Sequence, residues 1–198
     1  ARRGILIKGG VYLEDARKIK AIALDKTGTV TEGKPRLVAF DAIAADHTEQ
    51  RTGSLAASLA AHSDHPVSKA IAAGLDHPLE AVDEFNALAG RGVQGRVGDD
   101  VHALGNHRLI EDRGQCSAEL EARLAEHESQ GRTVTLLASS TKVLGLFAVA
   151  DTIKASSRTA IAELRALGVT PVMLTGDNEA TARSIAAQAG IEDARGNL

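Results

Sequence analysis

Cysteine occurs once among the 198 residues, at Cys116, and tryptophan is absent. A single thiol excludes an internal disulfide and any metal site built from several cysteines. One tyrosine (Tyr12) and three phenylalanines (Phe40, Phe85, Phe147) make up the aromatic complement, 2% of the chain. So few rings argue against single-stranded nucleic-acid binding, which stacks bases on aromatic side chains. They also demand an aliphatic, alanine-rich core. Positive charge is not in excess: 26 Asp and Glu stand against 23 Lys and Arg, so no global basic field recruits nucleic acid. No apolar run approaches the roughly 18–20 residues that cross a bilayer. The opening ARRGILIKGG is basic but lacks a long apolar segment, and no secretory signal is read there. What is present is ordinary for a soluble globular chain, 43% hydrophobic and 25% charged, which excludes disorder or a fibrous repeat. The length suits one large domain or two small ones.

Residues 19–24, Ile-Lys-Ala-Ile-Ala-Leu, are a short apolar run ending at Asp25 and predict a buried strand. The polar, glycine-broken Asp25-Lys26-Thr27-Gly28-Thr29 is then a loop at that strand's C-terminal end, with residues 36–40 read as a strand leading elsewhere. Leu55, Leu59 and His62 space a helix over about 48–62 with Thr48 as N-cap. Ser63-Asp64-His65-Pro66 breaks it, and Pro66 opens a second helix that ends at Gly74. Residues 93–97 and 101–104 form a hairpin around Gly98-Asp99-Asp100. A helix over 117–130 follows, with Ser117 as N-cap and Gly131 beyond its end. Then comes a second hairpin, 132–138 with 143–149. After Asp151 the order is helix (stopped at Gly168), strand (171–174), loop (175–178) and helix (179–189, stopped at Gly190), which is α/β grammar. The chain reads as an α/β domain interrupted by an inserted α+β domain.

A carboxylate at the end of a buried strand occupies the place that open α/β sheets use for their sites. Asp25 suits a nucleophile that forms an aspartyl-phosphate. Lys26 offers charge to a phosphoryl group, Thr27 and Thr29 offer hydroxyls and amides, and Gly28 lets backbone approach phosphate oxygens. The plain alternative is a solvated strand-end loop. Thr175-Gly176-Asp177-Asn178 also ends a strand, so both loops would face one crevice; alone, it is equally an N-cap before a helix.

Asp-Lys-Thr-Gly-Thr at 25–29 resembles the phosphorylation motif of the P-type ATPases. The resemblance implies a haloacid-dehalogenase-like, Rossmann-type phosphorylation domain (1–35 and 149–198) interrupted by a nucleotide-binding domain (36–148). It makes Asp25, Lys26, Thr27, Thr175, Gly176 and Asp177 catalytic, with ATP and Mg²⁺ as cofactors and Asp25 and Thr27 toward the metal. Phosphatases that look like these pumps carry a second Asp two residues after the nucleophile, as general acid/base. Here that place holds Thr27, so the acyl phosphate should hydrolyse slowly, which favours a pump. Asp151-Thr152-Ile153-Lys154 looks like the hinge by which the insertion returns, or a helix-capping Asp.

Ser63-Asp64-His65-Pro66 with Ala70-Ile71 resembles the His-Pro signature of the heavy-metal-transporting group, where the His lies beside adenine. His65 is otherwise a structural residue, and the second His-Pro pair, at His77, reads as surface. Gly90-Arg91-Gly92 and Gly105-Asn106 resemble that group's nucleotide loops, although each is also what a turn looks like. These five, His65, Gly90, Gly92, Gly105 and Asn106, are the expected nucleotide contacts. The group's usual Glu six residues before the Pro is Ala60 here, which implies weak ATP binding of modest selectivity unless Asp64 substitutes. The remaining histidines are scattered, and Cys116 reads as an inert small residue, so no metal cluster is expected outside the phosphorylation site.

Residues 4–14 look like the stalk after a membrane helix, and Lys8-Gly9-Gly10 leans toward the zinc, cadmium, cobalt or lead group. The Lys-bearing segment and Gly-Asp-Gly-x-Asn-Asp motif that the family places after Gly190-Ile191 are not in this stretch. The resemblance thus implies the cytoplasmic ATP-binding and phosphorylation loop of a membrane pump, truncated in its phosphorylation domain. As a soluble piece it is expected to bind nucleotide with little turnover. Its partners would be the pump's membrane and actuator domains and, through them, a heavy-metal ion. A soluble phosphohydrolase of the same superfamily and a non-catalytic nucleotide-binding module are the alternatives.

Overall fold

A computed structural model describes residues 9–198. The run before Asp25 becomes β1 (Ala21–Asp25). It pairs in parallel with β8 (Thr170–Leu174), which pairs in parallel with β9 (Asp193–Arg195), giving the order β1-β8-β9. The helices α6 (Ala155–Ala166) and α7 (Glu179–Ala189) contribute Ile161, Ala182, Ile185 and Ala186 to a small core with Val30, Met173 and Ile191. β1 is not the buried strand that its apolar run predicts. Among the described residues it has a partner on one side only, and Ala21, Ala23 and Asp25 are exposed. An apolar run reports that a strand forms; which strand takes the centre depends on later chain, and here it is β8, with Pro171 and Met173 buried.

The insertion is a six-stranded antiparallel sheet in the order β2-β7-β6-β5-β4-β3. Its strands are β2 (Arg36–Ala42), β3 (Asp83–Leu88), β4 (Gly92–Val97), β5 (Asp100–Gly105), β6 (Thr133–Ala138) and β7 (Val143–Ala150). Two helices, α2 (Glu49–Ala61) and α3 (Pro66–Gly74), pack Leu55, Leu59 and Ile71 against Phe147 and Leu144. A separate apolar cluster joins Ile110 of α4 (His107–Asp112) and Leu120 and Leu124 of α5 (Ala118–Ser129) to Leu136, Leu146 and Ala148. Because alternate side chains of a strand point to opposite faces, Phe147 and Leu146 feed different clusters, and β7 is buried from Val143 to Val149. Phe40 stacks on Phe147 at 4.7 Å, worth about 1 kcal/mol beyond the area it buries.

The expected caps form. Thr48, Ser117 and Asn178 each accept a backbone amide two or three residues into their helices, from Arg51, Leu120 and Thr181. Each contributes about 1 kcal/mol. The second hairpin has the expected pairing, with Ala138 opposite Val143; in the first, Asp100 joins β5 opposite Val97 and leaves a two-residue Gly98-Asp99 turn in place of the expected three. The elements β3, β9, α4 and α1 (Gly10–Ala16) were not expected; α1 buries none of its residues. Residues 4–8 of the stalk-like stretch lie outside the described residues. Among the described residues no helix is long and apolar enough to cross a membrane.

The two sheets are joined by paired connections. Thr31 bridges Ile153, Glu32 donates its amide to the Thr152 carbonyl at 2.8 Å, and Lys154 donates to the Val30 carbonyl at 3.1 Å. Asp151 clamps this ribbon. Its carboxylate accepts from the Thr31 hydroxyl at 2.6 Å and from the amides of Gly33 and Lys34 at 3.0 and 3.1 Å. Asp151 therefore caps the outgoing connection and not a helix; the N-cap of α6 is Lys154, which makes no side-chain capping bond.

Candidate active site

Asp25 is the last residue of β1 and stands opposite Leu174, the last of β8. Parallel pairing in that register brings the loops after both strands to one edge, so the 25–29 and 175–178 motifs are neighbours. The chain then winds tightly: the Thr31 amide returns to the Lys26 carbonyl at 3.0 Å, and Gly28 takes φ 74, a conformation that glycine adopts at little cost. The side chains of this loop divide into two groups. Lys26 and Val30 are buried, whereas Asp25, Thr27, Gly28 and Thr29 face solvent. Lys154 donates to the Gly28 carbonyl, and the Ser157 hydroxyl donates to the Thr29 carbonyl at 3.2 Å. The loop is thus fastened from below by the start of α6.

Lys26 does not reach outward. Its ammonium pairs with the Asp177 carboxylate, and both side chains are about nine-tenths buried (10% and 12% exposed). That carboxylate also accepts the Thr175 hydroxyl at 2.9 Å and the Thr133 hydroxyl at 3.1 Å. The Asp177 amide in turn donates to Thr175 Oγ1 at 3.2 Å. Gly176 is exposed between them. The arrangement tightly locks a cation and an anion under the two loops, where breaking the pair would strand a buried charge. Asp25 makes no ion pair among the described residues, so its carboxylate is available to a ligand. With Thr27 it offers hard oxygen donors at an open rim, the donor chemistry that suits Mg²⁺, while Asp177 is already committed to three partners.

Of the five expected nucleotide residues, four come together. Gly92 stands opposite Gly105 in the β4–β5 ladder. Gly92 has φ 147, and a Cβ there would strike the Leu104 carbonyl and the Gly105 backbone. Asn106 donates its side-chain amide to the Gly90 carbonyl at 2.9 Å and accepts the Leu109 amide at 3.1 Å, capping α4. His65 is elsewhere, exposed at the start of α3, where Nδ1 accepts the Val67 amide at 3.3 Å. It is His62 that faces Phe85, with ring centroids 5.4 Å apart. Ala60 is fully buried under a depression of about 470 Å³ whose rim carries Asp64 and Lys69. Those two pair at 2.9 Å, and the Lys69 ammonium holds the Asp64 carboxyl below its ordinary range.

Residues not singled out from sequence complete the junction. Thr133 belongs to β6 yet bonds Asp177, Asn178 bonds Glu128 of α5, and the Thr181 hydroxyl donates to the Arg132 carbonyl at 3.2 Å. Arg108 of α4 reaches Asn197 at 3.0 Å. These contacts dock the insertion on the loops of the small sheet. Only three-dimensional proximity reveals them, because Thr133 reads in sequence as one more β-strand threonine.

Residues 19–197 match the model of the haloacid dehalogenase-like hydrolases. The chain belongs to that family. Among relatives, it is 35% identical to a probable cadmium-transporting ATPase of Staphylococcus aureus (strain MRSA252), in an alignment spanning all of this chain and 28% of the relative. It is 43% identical to a copper-exporting P-type ATPase of Bacillus subtilis (strain 168), across 96% of this chain and 24% of that one. Its structure resembles a zinc-transporting PIB-type ATPase in the E2.Pi state, with TM-score 0.68 and 37% identity over 100% of this chain and 32% of the other. The chain thus spans about a quarter to a third of these proteins. Within the haloacid dehalogenase-like family, then, its homologues include pumps for cadmium and copper.

Proposed function

We propose that this chain is the cytoplasmic ATP-binding and phosphorylation region of a P-type ATPase that moves a heavy-metal cation across a membrane. The observation that carries this reading is Asp25: a solvent-facing carboxylate at the end of a parallel strand, next to the Thr175 turn and above the buried Lys26–Asp177 pair. In the proposed step a carboxylate oxygen of Asp25 attacks the γ-phosphorus of ATP, the bond to the bridging oxygen breaks, and ADP leaves. Asp25 and Thr27 would hold Mg²⁺, which would supply neutralisation of the phosphate oxygens. Thr27, Thr29 and the Thr175 turn orient the phosphoryl group, and Gly28 permits close backbone approach. Lys26 and Asp177 hold the two loops in register beneath it.

The nucleotide is assigned to the insertion, residues 36–148, with Gly90, Gly92, Gly105 and Asn106 on one side and His65 on the other. The hinge is the Asp151-clamped ribbon, whose motion delivers ATP to Asp25. Thr27, where a related phosphatase would carry a general acid/base, supports a persisting intermediate over fast ester hydrolysis. The pump's membrane and actuator domains are the proposed partners, and the cadmium, copper and zinc relatives support a heavy-metal ion as cargo.

Labelling with γ-phosphate-labelled ATP and Mg²⁺ tests the reading. The chain should take up label that hydroxylamine removes, as expected of an acyl phosphate, and Asp25→Asn should abolish it while nucleotide binding persists. Label that survives in Asp25→Asn overturns the proposal, as does rapid turnover of a generic phosphate ester by the wild-type chain.

A further inference from the structure

The tertiary structure gathers a histidine, the single cysteine and a glutamate that sequence spacing left scattered. His107 opens α4, Cys116 lies in the α4–α5 connection, and Glu121 is in the first turn of α5. Their donor atoms all fall within 4.8 Å of one another. The Glu121 carboxylate lies beside the other two: His107 Nε2 is 2.7 Å from Oε1, and the Cys116 sulfur is within 4.8 Å of the same donors. Glu111 adds a second carboxylate 3.9 Å from His107 Nε2. Cys116 is half-buried against the α4–α5 apolar cluster, and burial and then Glu121 push its thiol up to about 11.

We infer that His107, Cys116 and Glu121 form a binding site for a thiophilic divalent cation of the zinc and cadmium kind, separate from the Asp25 site. The donor set argues for that class. Imidazole nitrogen, thiolate sulfur and a carboxylate oxygen are the three ligand types zinc takes, at about 2.0–2.3 Å, and a thiolate selects against Mg²⁺ and Ca²⁺. One hydrogen, on Nε2, now links the imidazole to Glu121, and the thiol carries its own. A divalent cation replaces both. The sulfur gives its proton to solvent as it takes the metal, and the imidazole hydrogen shifts from Nε2 to Nδ1 so that the neutral ring ligates through Nε2. The two carboxylates, Glu121 and Glu111, attract the cation. Glu111 or a water takes the fourth position. Occupancy ties the start of α4 to the start of α5, beside Asn106 and Arg108, and so fastens the glycine cluster to the inter-sheet junction.

The test uses the 198-residue chain stripped with chelator and titrated with Cd²⁺, then Zn²⁺. One equivalent of Cd²⁺ should give a thiolate-to-metal charge-transfer band, and Zn²⁺ should displace it while excess Mg²⁺ does not. Cys116→Ser, near-isosteric, should abolish the band with the circular dichroism unchanged. His107→Ala and Glu121→Gln should each weaken binding by more than about tenfold, since even outer-shell partners cost that much. Absence of a band at one equivalent overturns the site. So does a band that keeps its affinity in both His107→Ala and Glu121→Gln, which would mean the thiol finds other ligands. Phosphate labelling of Asp25 is read separately, so either proposal can fail while the other stands.

Discussion

Phe147 is fully enclosed in a six-stranded sheet with apolar clusters on both faces, whereas Asp25 ends a strand that has, among the described residues, one neighbour and exposed alanines. The large sheet is held mainly by burial. The loops of the small sheet are held mainly by polar clamps: Lys26 with Asp177, Asp151 on Thr31, Gly33 and Lys34, and Lys154 and Ser157 on the carbonyls of Gly28 and Thr29. The difference suits the proposed work. A nucleophile must face solvent and keep its position, and directional bonds hold a loop in place without covering it, which packing cannot do.

The largest break in this comparison should come from Phe147→Ala. Losing a fully buried ring that stacks on Phe40 should cost about 3–5 kcal/mol in denaturant unfolding. Asp177→Asn comes next. It keeps an acceptor for only one of Thr133 and Thr175, and it leaves Lys26 buried without a counter-charge, for about 3 kcal/mol. Equal stability of this variant and wild type would mean the small sheet does not depend on its clamps. Asp151→Asn should cost less, about 1–2 kcal/mol, and locally: hydrogen exchange should quicken at the Gly33 and Lys34 amides while β6 and β7 stay protected.

The smallest effect is on pH. Burial holds His102 below the ordinary imidazole value of 6.5, opposed by its bond to the Asp100 carbonyl. The unfolded chain therefore binds the proton first as the pH falls. Stability is unaffected above 6.5 and is lost progressively from there down through the lower folded value. His102→Gln should flatten that dependence in melts taken between neutral and mildly acid pH. A wild-type melt insensitive to acid over this range would place the large sheet's weak point elsewhere.

Most of the chain's elements could be read directly, because their signals are local. Thr48, Ser117 and Asn178 cap where their hydroxyl or amide chemistry says they should, Pro66 opens α3, and Gly190 ends α7 in the left-handed region with φ 84. Where those signals fail, the elements were missed. β3, Asp-Glu-Phe-Asn-Ala-Leu, is an edge strand with little buried and no clear alternation, and β9 is three residues long. In the site, the Asp25 and Thr175 motifs were legible because each ends a strand, and the register joins them. The role of Lys26 was not: a lysine beside an exposed aspartate reads as a free cation, yet it is buried against Asp177.

Sequence alone indicated most of the strands and helices, and it placed one carboxylate at the end of a strand before a polar, glycine-broken loop. Each of those depends on residues a few positions apart. Tertiary structure decided that β8 and not β1 takes the centre, that Thr133 of one sheet serves Asp177 of the other, and that His107, Cys116 and Glu121 meet. Those outcomes depend on how distant segments pack, and spacing along the chain carries no record of which side chains that packing brings within reach.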